Sequence, residues 1–245
     1  MIWLPAIFFL IAFLYSMVGL GGGTSYLAVL AFAGLPHNEI PVIALICNSI
    51  VASSGFWLFY KAGFVRWKFI LPFVILSVPA AYLGGRIAID KNLFRLLLGF
   101  SLFVAALRMF LPNKLFENKK EISATKAWAV GLPVGGLLGF LSGLIGIGGG
   151  IFLSPLLISM GWVNVKEASA AAAFFIAVNS LSGLAGHLKR SAVDFEIIFP
   201  LAIAVFFGGQ FGARLGAYKI PNLRLEKILA LFILYVSVKL IGAAL

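Results

Sequence analysis

The residues best placed to do chemistry in this sequence are two glycine runs, Val18-Gly-Leu-Gly-Gly-Gly23 and Ile145-Gly-Ile-Gly-Gly-Gly150. Each glycine costs about 1 kcal/mol relative to alanine in a helix interior, so four within five residues unwind one. Both runs interrupt long apolar stretches. Unwound backbone at membrane depth is tolerated only where protein covers it or where it lines a wet cavity. After Gly21, Gly22 and Gly23 the helix restarts at Thr24-Ser25, and its first N–H groups and positive dipole end face the break. After Gly148, Gly149 and Gly150 it restarts at Ile151-Phe152, with Ser154 within one turn. Such an end favours an anion. Two breaks at equivalent places in two halves are the best sequence pointer to a transport site. Close packing of helices through small residues is the competing explanation.

Polar residues within the apolar segments come next. Asn48-Ser49 and Asn179-Ser180 occupy matching positions, and a buried amide in lipid must find partners, by cross-linking helices or by coordinating a polar ligand. Ser53, Ser54 and Ser182 lie close enough in sequence to join the same cavity. Arg86 and Arg214 form a matched pair near segment ends. Snorkelling explains each alone, and their correspondence makes a cavity-facing role an alternative. His187, followed by Lys189 and Arg190, could relay a coupling proton or anchor the interface. Gln210 suits an interhelical hydrogen bond or a secondary contact. Every carboxylate sits at a segment end or in a loop, which argues against a cation pump. The sequence has no His/Cys cluster for a metal, no GxxxxGK[ST] loop and no HExxH. The glycine runs lack the preceding strand and following acid of a dinucleotide motif. No cofactor is expected, and an enzyme is not.

The elements that must position these residues follow from composition. The chain is 62% hydrophobic and 11% charged, with mean hydropathy +1.09. A soluble domain is roughly half apolar and about a quarter charged. Apolar runs of spanning length that do not alternate mean helices rather than a barrel. The reading is an all-α integral membrane protein. The net charge of +11 does not indicate nucleic acid, because the basic residues are spread over the short connections. The single Cys47 excludes a disulfide framework. The apolar start Met1-Ile2-Trp3-Leu4 reads as a retained span, and Trp3, Trp57, Trp67, Trp128 and Trp162 fall at or near segment ends, as an aromatic belt places them.

Eight segments can be drawn: Ile2 to Leu35, Ile40 to Tyr60, Trp67 to Ile89, Leu93 to Leu111, Ala127 to Trp162, Ala168 to Leu188, Phe195 to Tyr218 and Leu223 to Ala244. The glycine runs, the Asn-Ser pairs, and Gly84-Gly85-Arg86 with Gly212-Ala213-Arg214 match in register between halves. This predicts an internal duplication: a first repeat over 1–111, a polar linker over 112–126 and a second repeat over 127–245. If segments one and five cross once, the repeats are parallel. If each enters and returns as a re-entrant hairpin, they are inverted. The inverted scheme puts Lys61, Arg66, Lys68, Lys114, Lys119, Lys120, Lys126, Lys166, Arg214, Lys219, Arg224 and Lys227 on one side. It leaves Arg86, Lys91, Arg95, Lys189 and Arg190 on the other. That division satisfies the positive-inside rule better and places both termini outside the cytoplasm.

The doubled motif, with Ser154-Pro155-Leu156 after its second copy and Thr24 after its first, resembles the TauE/SafE sulfite exporter family, also called toluene sulfonate uptake permeases. The resemblance covers nearly the whole chain. It implies two four-segment halves and transport of sulfur-containing anions or small organic acids. The first half departs from it, with Leu27-Ala28-Val29 where the second has proline, so the halves need not contribute equally. The expectation is a permease or secondary transporter in a prokaryotic-type plasma (inner) membrane. It would move a small anion such as sulfite, thiosulfate or a sulfoacetate-like sulfonate by alternating access. Gly21, Gly22, Gly23, Thr24, Asn48, Ser49, Gly148, Gly149, Gly150, Asn179 and Ser180 would form the site. Arg86, His187, Gln210 and Arg214 are secondary candidates. A passive channel and a membrane assembly subunit are the alternatives, and a homo-oligomer is compatible with any of them.

Overall fold

The computed structural model describes residues 3–110, 123–189, 195–218 and 223–244. Most of the expected linker lies outside the described residues, as do Lys114, Lys119, Lys120, Arg190 and Lys219. The described residues form helices α1 (Leu4–Ser16), α2 (Gly23–Phe32), α3 (Ile40–Lys61), α4 (Trp67–Arg86), α5 (Lys91–Phe110), α6 (Ala124–Ile145), α7 (Gly150–Ser159), α8 (Val165–His187), α9 (Phe195–Tyr218) and α10 (Leu223–Gly242). Among them, α3, α4, α6, α8 and α9 are long and apolar enough to cross a membrane. Large apolar side chains such as Leu137, Phe199, Phe207 and Phe211 point outward. In water such a surface would drive aggregation; in a bilayer it is the lipid-facing wall.

The first and fifth sequence segments are broken where the glycines unwind them. α2 and α7 are each 10 residues long, about 15 Å of helix and half of a roughly 30 Å hydrocarbon core. Gly22 caps α2 at φ 92° and Gly149 caps α7 at φ 73°. Only glycine adopts this left-handed backbone without strain. Neither N-terminus has a side-chain cap.

Helix direction follows from which residues meet. On α3 and α8, Leu45 lies against Gly183 and Phe56 against Phe174, so these helices run antiparallel. On α5 and α10, Arg95 reaches Ala243 while Gly99 packs on Ser237 and Ile241, again antiparallel. α4 and α6 run parallel, with Pro72, Ser77 and Ala81 against Gly131, Gly139 and Gly143. α1 and α9 also run parallel, with Phe9, Phe13 and Met17 against Gly208, Gly212 and Gly216. The pairing α4 with α6 is thus repeated as α9 with α1. The two self-pairs, α3 with α8 and α5 with α10, are antiparallel. A two-fold operation across the helix axes relates the halves, so the repeats are inverted.

The same contacts establish the hairpins. Gly209 packs on Val51, and Ala213 lies nearest Gly55, so α9 is parallel to α3, and α1 is therefore parallel to α3. Only residues 33–39 join α2 to α3, so α2 must return to the side from which α1 entered. α6 and α8 are both parallel to α4, as Ser182 on Val78 followed by Gly186 on Tyr82 shows for α8, so α7 returns likewise. The hairpins enter from opposite sides and pass the centre: Gly19 packs on Ser169 near the start of α8, and Gly146 packs on Pro41 at the start of α3. From Gly23 to Leu30 every residue of α2 is buried, the cover that irregular backbone in a membrane requires.

Candidate functional site

The two breaks meet at Asn48, near the middle of α3 and fully buried. Its Nδ2 donates to the Ile147 carbonyl of the second break at 3.0 Å. A carbonyl can only accept, so the nitrogen is fixed there and Oδ1 is turned the other way. A methyl on Gly21 would overlap Oδ1, and one on Gly23 would overlap Nδ2. A methyl on Gly148 would come within 2.9 Å of Nδ2 and 3.1 Å of Ser180 Oγ. The glycines are therefore required by close approach as well as by backbone shape. Gly21, Gly23, Asn48, Ile147, Gly148 and Ser180, from both halves, form one polar centre.

The first N–H groups of α2, on Gly23, Thr24 and Ser25, and that of Ile151 in α7 donate to no backbone carbonyl. They are the free donors of two helix N-termini. Seven buried side-chain polar atoms have no hydrogen-bond partner among the described residues. Six of them cluster on the breaks and the helices beside them: Thr24 Oγ1, Tyr26 OH, Asn48 Oδ1, Ser142 Oγ, Asn179 Oδ1 and Ser180 Oγ. Buried polar atoms are nearly always paired, so a concentration of unpaired ones at one place needs an explanation.

The remaining expected residues separate from this centre or join it differently. Gly22 packs against Ile11 and Tyr26, Gly149 against Phe175 and Ser142, and Gly150 against Ile176. Asn179 is buried, but its Nδ2 donates back to Phe175 of its own helix at 2.8 Å. Ser49 likewise donates to Leu45 at 2.7 Å. Ser53 is exposed, Ser54 bonds Val51, and Ser182 bonds Val78 on α4. Arg86 and Arg214 are exposed at helix ends, and Gln210 is half-buried on α9. His187 is buried, and its Nε2 donates to the Gly143 carbonyl at 2.7 Å. It ties α8 to α6 about 12 Å along the helix from Asn179.

Sequence reasoning missed Ser142, Tyr26 and the Ile147 carbonyl. Ser142 was legible as a hydroxyl one turn before a break. The Ile147 carbonyl carried no side-chain signal. It also missed a cavity of about 470 Å³ at the C-terminal end of α2. The starts of α3 and α5 and the end of α10 complete its walls. His37, Lys91, Arg95 and Lys239 line it. The i, i+4 spacing of Lys91 and Arg95 was the available signal. Beside it Asp90 caps α5, accepting N–H bonds from Asn92 at 2.8 Å and Leu93 at 3.0 Å. These bonds, that of Leu93 foremost, hold its carboxyl below the usual carboxylate range.

A model of the sulfite exporter TauE/SafE family matches residues 4–240. The chain is 31% identical to probable membrane transporter protein y4hK of Sinorhizobium fredii, over 96% of this chain and 95% of that one. It is 25% identical to probable membrane transporter protein YunE of Bacillus subtilis, over 92% of each. It is 25% identical to probable membrane transporter protein MJ0441 of Methanocaldococcus jannaschii, over 84% of this chain and 83% of that one. No solved structure matches. With its helix breaks and inverted halves matched over nearly their whole length, the chain is a multi-pass membrane protein that belongs to the TauE/SafE sulfite exporter family.

Proposed function

We propose that this chain is a secondary transporter of a small sulfur-containing anion, a sulfite-like oxyanion or an organosulfonate, in the cell membrane. The observation that carries the reading is the cluster of unpaired buried polar atoms around two uncapped helix N-termini. Oriented N–H groups and dipole ends stabilise negative charge without a counter-charged side chain. The ligand is held by the first N–H groups of α2 and α7, by Asn48, and by the hydroxyls of Thr24 and Ser180. The inverted halves supply two equivalent states, each open to one side, and rocking of one half against the other exchanges them. The basic cavity at the foot of α2 serves as the vestibule on its side of the membrane.

Thermal unfolding of the detergent-purified protein against a panel of small anions tests this. A ligand that binds only the folded state raises Tm by mass action, by about 2.7 kcal/mol of stabilisation at one hundred times Kd. Sulfite or a sulfonate raises Tm in the wild-type chain and does so less in Asn48→Ala. A shift confined to cations or neutral solutes would contradict the reading. Accumulation of the anion against its gradient in proteoliposomes separates a coupled transporter from a passive channel.

A further inference from the structure

From the orphaned acceptor at the centre we infer that the ligand is a monoanion carrying its own hydrogen-bond donor: hydrogen sulfite rather than the sulfite dianion, or a hydroxy-bearing sulfonate rather than a plain alkyl sulfonate. The inference rests on the anion site proposed above and specifies what that site selects. Two observations lead to it.

The first is the direction of the Asn48 amide. Its nitrogen is engaged by Ile147 at 3.0 Å, so the group offered beside Gly21 is Oδ1, buried and without a partner. An amide oxygen accepts and cannot donate. A fully deprotonated oxyanion presents only acceptors, and against Oδ1 it would meet lone pairs with lone pairs. An O–H or N–H on the ligand satisfies the orphan instead. The hydroxyls of Thr24 and Ser180, both buried and unpartnered, can turn either way and do not decide the matter.

The second is charge. Asn48, its neighbours Gly21, Gly23, Ile147 and Gly148, and Ser180 beside Gly148 include no basic side chain, and Arg86 and Arg214 are exposed at helix ends. What remains is two helix N-termini, each equivalent to roughly half a positive charge. Their sum matches one negative charge. A dianion would be buried with about one charge uncompensated, which is strongly unfavourable in a low-dielectric site.

The test is binding of sulfite and of methanesulfonate to the purified full chain, by calorimetry, across pH. Sulfite takes up its proton near neutrality. Methanesulfonate has similar bulk, stays a monoanion throughout and bears no donor. The protein's own titratable groups near the breaks, Tyr15, Tyr26, Cys47 and His187, act on both ligands, so methanesulfonate reports their contribution. The expected result is apparent sulfite affinity falling about tenfold per pH unit above the ion's own ionisation, with methanesulfonate flat and roughly tenfold weaker than hydrogen sulfite. Sulfite affinity that is flat or rises with pH, or methanesulfonate equal to hydrogen sulfite, overturns the inference and leaves the anion site standing. Binding of neither ion, nor of any other small anion, refutes the anion site itself. In Asn48→Ala the preference for hydrogen sulfite over methanesulfonate disappears; a retained preference overturns the assignment to Oδ1. Gly21→Ala, which sets a methyl against Oδ1 and leaves the amide in place, gives the same readout should Asn48→Ala fail to fold.

Discussion

Asn48 joins the halves at the point where both helices are interrupted, and its two amide atoms have different tasks. Nδ2 satisfies a carbonyl of the opposite break and Oδ1 is left for something else. Asn179 holds the related position, but its nitrogen folds back on Phe175. Asn48→Ala therefore strands the Ile147 carbonyl and removes a ligand contact. It should lower stability by about 1–3 kcal/mol and abolish transport, read by thermal unfolding and by flux. Asn179→Ala leaves the Phe175 carbonyl with its own helical N–H partner, so its stability cost should be the smaller, and equal costs would contradict this asymmetry. Ser49→Ala should transport at near wild-type rates, because the hydroxyl is engaged by Leu45. The sequence marks both asparagines by their repeat positions. It does not distinguish them, since correspondence between repeats specifies a place on a helix and not which way an amide points. Nor does it distinguish Ser180, which reaches Gly148, from Ser49, which does not.

At the scale of the element, α6 lies so close to α4, and α9 to α1, that glycine is mandatory on one partner. A methyl on Gly135 would overlap the Phe73 carbonyl, whereas one on Gly136 meets the end of the flexible, lipid-facing Leu76 side chain at 3.0 Å. Gly135→Ala should cost about 1–3 kcal/mol by overpacking. Gly136→Ala should be neutral or slightly stabilising through helix propensity. Thermal unfolding of the two neighbouring variants decides between this packing and a looser one. At the start of α5, Asp90 has a carboxyl held below its ordinary range. Its contribution is complete above the ordinary carboxylate pKa, about 3.9, and is lost as pH falls through the lowered value. Asp90→Asn should flatten the acid-side decline of Tm, and an unchanged decline would show that this cap does not contribute to it. The broken segments were legible because four glycines in an apolar run have few structural uses. The glycine stripe of α6 was not, since the sequence does not say that α4 and not another helix lies against it.

For the whole molecule, inversion follows from which helices run antiparallel across the two-fold, and the loop charges had already favoured it. It has a direct consequence. Lys68 at the start of α4 and Lys189 after α8 lie on opposite sides of the membrane; in a parallel arrangement with eight crossings they would share one side. In a Cys47→Ala background, Lys189→Cys should react with an impermeant thiol reagent on intact cells, and Lys68→Cys only after permeabilisation. Labelling of both from the same side would overturn the hairpin topology. Beyond the Lys91–Arg95 spacing the basic cavity was illegible, because His37, that pair and Lys239 come from three separate stretches of chain, and only the fold assembles them. The central claim is that an anion crosses this molecule through the centre held by Asn48. Flux of radiolabelled sulfite into proteoliposomes tests it most directly, comparing the wild-type chain with a folded Asn48→Ala or Gly21→Ala variant. Saturable uptake by the wild type that is lost in the variant is the result predicted. Uptake undiminished by either variant, or none above protein-free liposomes for any sulfur oxyanion or sulfonate, would contradict it.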